Sequence, residues 1–373
     1  MNNLKLHSLA KDLGSKTIIG GHNATHLARE IISNNPFVDF VIMGDGEKAL
    51  EEVVKGTNPS QIKNLAFRIG TEVIVNQREN LPESFLLPIN YRGIDMQGYF
   101  NSFRKTQKDP KIKIKNYQRI YSHKGCANRS NSQGCVFCGR ADIGVRFKNP
   151  ESYLQELIYL QEEIGADYVF DVGDDLLFRP DWLEETVKLK KAKYTNIQLS
   201  LACFGRANRI NAENSNLLKK LGIKEIFIGF ESGDERVTKI LGKGSPKLNL
   251  NSAEILFREG IDVCAMYVVG LPGEDSLSLE NTLNNARQLI ELSNKYSRNG
   301  AVYASLIEPY PGSPAFKKIK REMPQKYEGK DRLDLKELQE DYIRVYFGID
   351  SPKSISDFKD ELILAQNRIN NLL

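Results

Sequence analysis

From about residue 115 to 320 the chain alternates strand-like and helix-like patterns, and this cadence constrains its fold more than any other feature. Short apolar runs rich in Val, Ile, Phe and Tyr (RIYSHKGC, DYVFDVGDD, IQLSLACFG, KEIFIGFESG, VCAMYVVGLPGE, AVYASLIEPYPGSP) are separated by stretches of helical periodicity. Strands joined by helix-length crossovers pair in parallel, because the crossover returns the chain to the starting end of the sheet. The polar turns GDD, GFESG and GLPGE fall at strand C-termini, where such sheets carry their sites. Asn149 before Pro150 reads as an N-cap opening the helix PESYLQELIYLQEEIG. The expected class is α/β: a partial (β/α)6 TIM-type barrel over 115–320, preceded by a smaller Rossmann-like α/β half domain over 1–95.

In that first segment LHSLAKDLG, ATHLAREIISNN and KALEEVVKG read as helices, and KTIIGG and VDFVIM as strands. NLAFRIGTEVIVNQ reads as a hairpin turning at Gly-Thr. The Pro-punctuated ENLPESFLLPINYRGIDMQGYF is irregular, and residues 96–114 are taken as a linker. Residues 321–373 read as a charged helical extension. A formal charge of +4 over 373 residues argues against nucleic acid as a partner. The N-terminus lacks an apolar leader and no run reaches membrane-spanning length, so the expectation is a soluble cytoplasmic protein with no membrane partner.

Five unevenly spaced cysteines suit a reduced compartment and a metal site rather than a disulfide framework. Three of them, Cys126, Cys135 and Cys138, sit in YSHKGCANRSNSQGCVFCGR, after the first barrel strand. Thiolates select zinc or iron–sulfur over hard cations. Three thiolates leave a centre with an open position; with His123 the spacing H-x2-C-x8-C-x2-C instead closes a Cys3His zinc site. Spacing leaves both readings open. Cys203 and Cys264 lie in apolar strands and read as buried small hydrophobes.

The ordered set SHKGC with CVFC, FDVGDDLLF, RANRI, IGFESGDERVTKILGKG, VVGLPGE and PYPGSP resembles the radical S-adenosylmethionine (SAM) superfamily. The resemblance is to the subset whose catalytic domain follows a cobalamin-binding domain, and it covers about 115–320. It implies that Cys126, Cys135 and Cys138 ligate three irons of a [4Fe–4S] cluster whose fourth iron holds the amino and carboxylate groups of SAM. Phe137 then lies near the adenine. Asp174 and Asp175 are candidates for the methionine ammonium or a ribose hydroxyl, Arg206 for the methionine carboxylate, and Glu231 and Ser232 for further SAM contacts. The superfamily's usual spacing is C-x3-C-x2-C; here the first gap holds eight residues, ANRSNSQG, whose Asn128, Arg129 and Asn131 read as solvated loop, the alternative being that they face SAM or substrate. Tyr121, Tyr267, Tyr303 and Tyr310 read mostly as core.

TIIGGHNAT and VDFVIMGDGEKAL resemble the second half of a cobalamin-binding domain. The loop that supplies such a domain's axial histidine is expected before the point where this chain begins, so either cobalamin has been lost and the scaffold kept, or another polypeptide supplies the missing half. His22 and His26 read as surface or turn residues. A half domain leaves a sheet edge uncovered, which points to a partner chain completing it. The expected activity is reductive cleavage of SAM to a 5′-deoxyadenosyl radical that abstracts hydrogen from a small molecule or peptide, with a flavodoxin or ferredoxin as electron donor. The alternatives are a cobalamin-dependent radical methyltransferase, methylthiotransferase-like RNA modification, and a non-catalytic zinc-bound module.

Overall fold

The computed structural model describes residues 3–106, 114–130, 134–142 and 144–372. The chain forms two units, each discontinuous in sequence. One contains residues 86–125, 145–306 and 357–373; the other contains residues 1–85, 126–144 and 307–356.

The first of these is built on a six-stranded, all-parallel sheet whose strands, in spatial and chain order, are Tyr117–Ile120, Tyr168–Asp171, Ser200–Gly205, Ile223–Glu231, Asp262–Val269 and Gly300–Leu306. Sequential parallel order is what a partial (β/α)6 barrel requires. Alternate strand residues (Val169, Leu201, Ile226, Val263, Val302) share one core with Leu154, Leu157, Leu183, Leu218, Leu256 and Leu289 of the crossover helices. On the other face the rings of Phe170, Phe204 and Phe227 meet, Phe170 lying 4.8 and 4.9 Å from its two neighbours. Helix starts follow the expected chemistry: Asn149 Oδ1 accepts from Glu151 N at 2.9 Å, with Pro150 in the first turn. The last strand has its free edge covered by the helix Pro352–Asn370. There the Asn370 amide accepts from Ala304 N at 2.6 Å and donates to Ala304 O at 3.0 Å, as a neighbouring strand would.

The linker expectation needs correction. Met96–Thr106 is a helix, seated by Phe100, which is fully buried, and Phe103, whose ring stacks on Tyr117 at 4.9 Å. Aromatic residues three apart occupy one helix face, a signal masked by the flanking Pro and Gly. Residues 107–113 of that stretch lie outside the described residues.

The other unit holds a four-stranded sheet in the order Ile18–Ile19, Phe40–Ile42, Leu65–Ile69, Glu72–Val75. Only the first pair is parallel; the expected hairpin completes the sheet antiparallel. Helix Ala28–Asn34 closes its core on Val41 and Ala66 through Ile32. Among the described residues no helix is long and apolar enough to cross a membrane.

Candidate functional site

In the parallel-sheet unit the polar residues gather at strand C-termini. Asp171 ends its strand and its Oδ1 accepts from the backbone N–H of Ser122 and of Gly173, both at 3.0 Å, joining the ends of the first two strands. His123 is buried; its Nε2 accepts from Asp175 N at 3.1 Å, and Nδ1 lies 2.8 Å from Ser122 Oγ. With Nε2 accepting, Nδ1 carries the proton and donates to the hydroxyl. Both ring nitrogens are thus spent at the strand ends, which removes the Cys3His zinc site that spacing had left open. Gly173 is required here because a Cβ would come within 2.4 Å of the His123 ring.

Asp175 is buried, with Oδ2 2.9 Å from Arg209 Nε. Its Oδ1 has no hydrogen-bond partner among the described residues. Burial raises its pKa to about 6 against the opposing pull of Arg209 and Arg206. Such a carboxylate suits a donor group from a ligand. Asp174, beside it, is half-buried, and Arg206 follows its strand half-buried at the start of the turn Ala207–Arg209.

Glu231 ends the fourth strand at φ 63°, where the register to the next strand slips between Gly229 and Glu231. A glutamate holds the left-handed region only where its surroundings impose it, at a cost of about 1–3 kcal/mol, and such residues cluster at ligand sites. The bulge turns the carboxylate back over Gly229, where a Cβ would lie 2.4 Å from Oε1, and delivers it to Lys243 Nζ at 3.0 Å. Ser232 is fully enclosed, its Oγ 3.1 Å from Thr282 Oγ1 and accepting from Asp234 N. Its hydroxyl is engaged within the turn. Glu274 of VVGLPGE is also buried, with Oε2 accepting from the backbone N–H of Gly270 and Leu271, and burial pushes it up to about 7. Cys203 and Cys264 are buried as expected, and burial raises both thiols, Cys264 to about 12. Of Tyr121, Tyr267, Tyr303 and Tyr310 only Tyr267 is buried, donating to Asn285 Oδ1 at 2.8 Å; Tyr303 and Tyr310 are exposed and Tyr121 is half-buried.

The cysteine segment belongs to the other unit. Cys126, Cys135 and Cys138 are half-buried and form no disulfide. Cys138 N donates to Cys135 O at 2.9 Å, so Val136 and the half-buried Phe137 form a tight turn between two sulfurs. Asn128 Nδ2 stands 3.8 Å from Cys135 Sγ and Arg129 Nη1 3.7 Å from Cys138 Sγ. Asn131 lies outside the described residues. Among the described residues no three His, Cys, Asp or Glu side chains gather tightly enough to share one metal ion. A cluster asks less of them, since each cysteine binds its own iron.

His22 is exposed and His26 half-buried, and both make hydrogen bonds that the expected surface or turn setting did not include. His22 Nδ1 accepts from Ala141 N at 3.0 Å, and His26 Nε2 donates to Gly139 O at 3.0 Å. Arg78 donates to Ala141 O at 2.8 Å. Three side chains from the N-terminal segment thus hold the residues just past Cys138. Sequence reasoning also missed Arg209, Lys243 and Glu274. RANRI and VVGLPGE were noted as motifs, but of their charged members only Arg206 was assigned, and nothing local marks Lys243 as the partner of Glu231.

Residues 120–286 match the sequence model of the Radical SAM superfamily. An uncharacterized methyltransferase of Pyrococcus horikoshii is 23% identical over 332 residues, covering 82% of this chain and 63% of its own. The fold is shared with the radical SAM methyltransferase TsrM from Kitasatospora setae, solved with tryptophan and a SAM analogue (TM-score 0.67, 15% identity, 86% of this chain and 61% of that one). It is shared equally with the cobalamin-dependent radical SAM enzyme OxsB, solved with aqua-cobalamin (TM-score 0.68, 14% identity, 98% and 61%). The chain spans less than two thirds of the length of each of these proteins.

Proposed function

We propose that this chain, a member of the radical SAM superfamily through residues 120–286, is a radical SAM enzyme whose cluster ligands are Cys126, Cys135 and Cys138. The domain implies a [4Fe–4S] cluster and SAM, which together supply a 5′-deoxyadenosyl radical for hydrogen abstraction when an electron is delivered. The observation that carries the reading is the cysteine turn itself: three half-buried cysteines outside any disulfide, two of them facing N–H donors. In this reading Phe137 serves the adenine. Asp175, through its unpartnered Oδ1, takes an ammonium or hydroxyl of SAM, with Asp174 next to it in sequence and Arg206 following the next strand. Glu231 offers a carboxylate preset by strained backbone and oriented by Lys243. Ser232 supports the turn. The substrate is a small molecule or peptide, and the reductant a flavodoxin or ferredoxin.

Protein reconstituted anaerobically with iron and sulfide is expected to show the visible iron–sulfur absorbance, and Cys138→Ala to lose it. A band unchanged in that variant sinks the assignment.

A second reading, radical methyl transfer with cobalamin, is supported by the names of the relatives. His22 and His26 are committed to Ala141 and Gly139, so neither serves cobalamin as an axial ligand. A partner chain that completes the N-terminal sheet is part of this reading. Incubating reduced enzyme with SAM separates the two: 5′-deoxyadenosine alone supports the first, and S-adenosylhomocysteine beside it supports methyl transfer.

A further inference from the structure

We propose that the long gap between Cys126 and Cys135 carries a redox-tuning cation, Arg129, for the cluster held by the three cysteines; the inference rests on that cluster being bound. The gap starts with the turn Ala127–Ser130, fixed by Arg129 N donating to Cys126 O at 3.0 Å, and Gly134 N returns to Asn128 O at 3.2 Å. This geometry sends consecutive side chains to different sulfurs: Asn128 to Cys135 and Arg129 to Cys138, at 3.8 and 3.7 Å. Arg129 is not a solvated loop residue, since its side chain is only 10% exposed. Its Nη2 lies 3.5 Å from Asp142 Oδ2, and the same oxygen is 3.4 Å from Arg140 Nε, whose side chain is 41% exposed. Asp142 therefore anchors the guanidinium while being shared with a second cation, so its charge offsets that of Arg129 only in part.

The consequence is electrostatic. Reduction adds one negative charge to an iron–sulfur cluster, and N–H donors or a cation at the thiolate sulfurs favour the more negative state. An exposed arginine would be screened by water and salt; one that is nine-tenths enclosed is screened far less. Arg129 thus raises the reduction potential of the cluster and lets a weaker reductant fill it. A gap of eight residues gives the loop the length to turn two side chains back onto the CVFC sulfurs.

The test is an EPR-monitored redox titration of the full-length protein, reconstituted anaerobically, with iron quantified in each sample. Arg129→Gln is expected to lower the midpoint potential so that the ratio of reduced to oxidised cluster at the wild-type midpoint falls about tenfold, which is about 59 mV for a one-electron couple. Arg129→Lys keeps the charge and is expected to stay nearer the wild type, and Asn128→Leu to shift the same way by less. An Arg129→Gln protein with full iron content and an unmoved midpoint overturns the proposal. Should that variant fail to hold iron, Asp142→Asn decides: removing the opposing carboxylate is expected to raise the midpoint, and an unchanged or lower value overturns the proposal. Wild-type protein that binds no cluster overturns the cluster reading and this inference together, whereas a loaded wild type with unmoved variants overturns the inference alone.

Discussion

Glu231 concentrates the energetics of the strand ends in one residue. Its side chain is 8% exposed and that of Lys243 15%, so neither charge is well hydrated and each depends on the other. Removing one member of a buried pair costs far more than removing both, because it strands the other in a poor solvent. Lys243→Met is therefore expected to lose about 3 kcal/mol of unfolding free energy, and the double variant Glu231→Gln/Lys243→Met to recover much of it. Equal losses in the single and double variants, measured by urea unfolding, would remove the pairing from this account. Glu274 makes a prediction of opposite character, since among the described residues no cation pairs with it. Its folded acidity, about 7, stands above its unfolded value, so the folded state holds the proton more tightly. The stability it contributes is full below about pH 4.5 and is lost as pH rises through 7, amounting to at most about 3 kcal/mol. Glu274→Gln should therefore gain on the wild type between pH 5 and pH 8. Parallel stability profiles across that range would show that the carboxyl does not titrate this way.

Among elements, the final helix does the work of a missing strand. A six-stranded partial barrel ends in an open edge, and the Asn370 side chain meets both backbone groups of Ala304 while Gln366 Nε2 adds a second donor to Ala304 O at 3.0 Å. Asn370→Leu leaves the Ala304 N–H without a partner, at about 1–3 kcal/mol. Faster amide exchange at Ala304, with little change on the central strands, is the expected result; uniform exchange across the sheet would point to global loosening instead. The crossover helices and the six strands were legible from sequence because period 3.6 and short apolar runs alternate cleanly, and because caps such as Asn149 are local chemistry. The helix Met96–Thr106 was not, because its only marks are Tyr99, Phe100 and Phe103 on one face, and a helix held by packing shows little in propensity.

At the scale of the whole chain, motif order was legible and partnership was not. The three cysteines and the strand-end acids could be picked out because each motif is contiguous. His22, His26 and Arg78 were passed over because the groups they bind lie far away in sequence, and a backbone carbonyl leaves no mark on its distant partner. The grouping of 126–144 with 1–85 in one unit makes that omission consequential. If the N-terminal segment were only the remnant of a cofactor domain, its side chains would be indifferent to the cysteines. Instead Gly139 and Ala141, one and three residues past Cys138, are held by a histidine on each side of a short helix and by an arginine from beyond the hairpin. Gly139 has no room for a side chain, since a Cβ would lie 2.6 Å from Pro311 O, so the loop seats tightly and depends on those bonds for its position. Removing two of them with His26→Leu and Arg78→Met is expected to leave the parallel-sheet unit folded while loosening the loop that carries Cys138. The reconstituted variant should then lose its iron–sulfur absorbance to a chelator several-fold faster than the wild type, with its circular dichroism unchanged. Equal bleaching rates would return the N-terminal segment to the role of an idle scaffold.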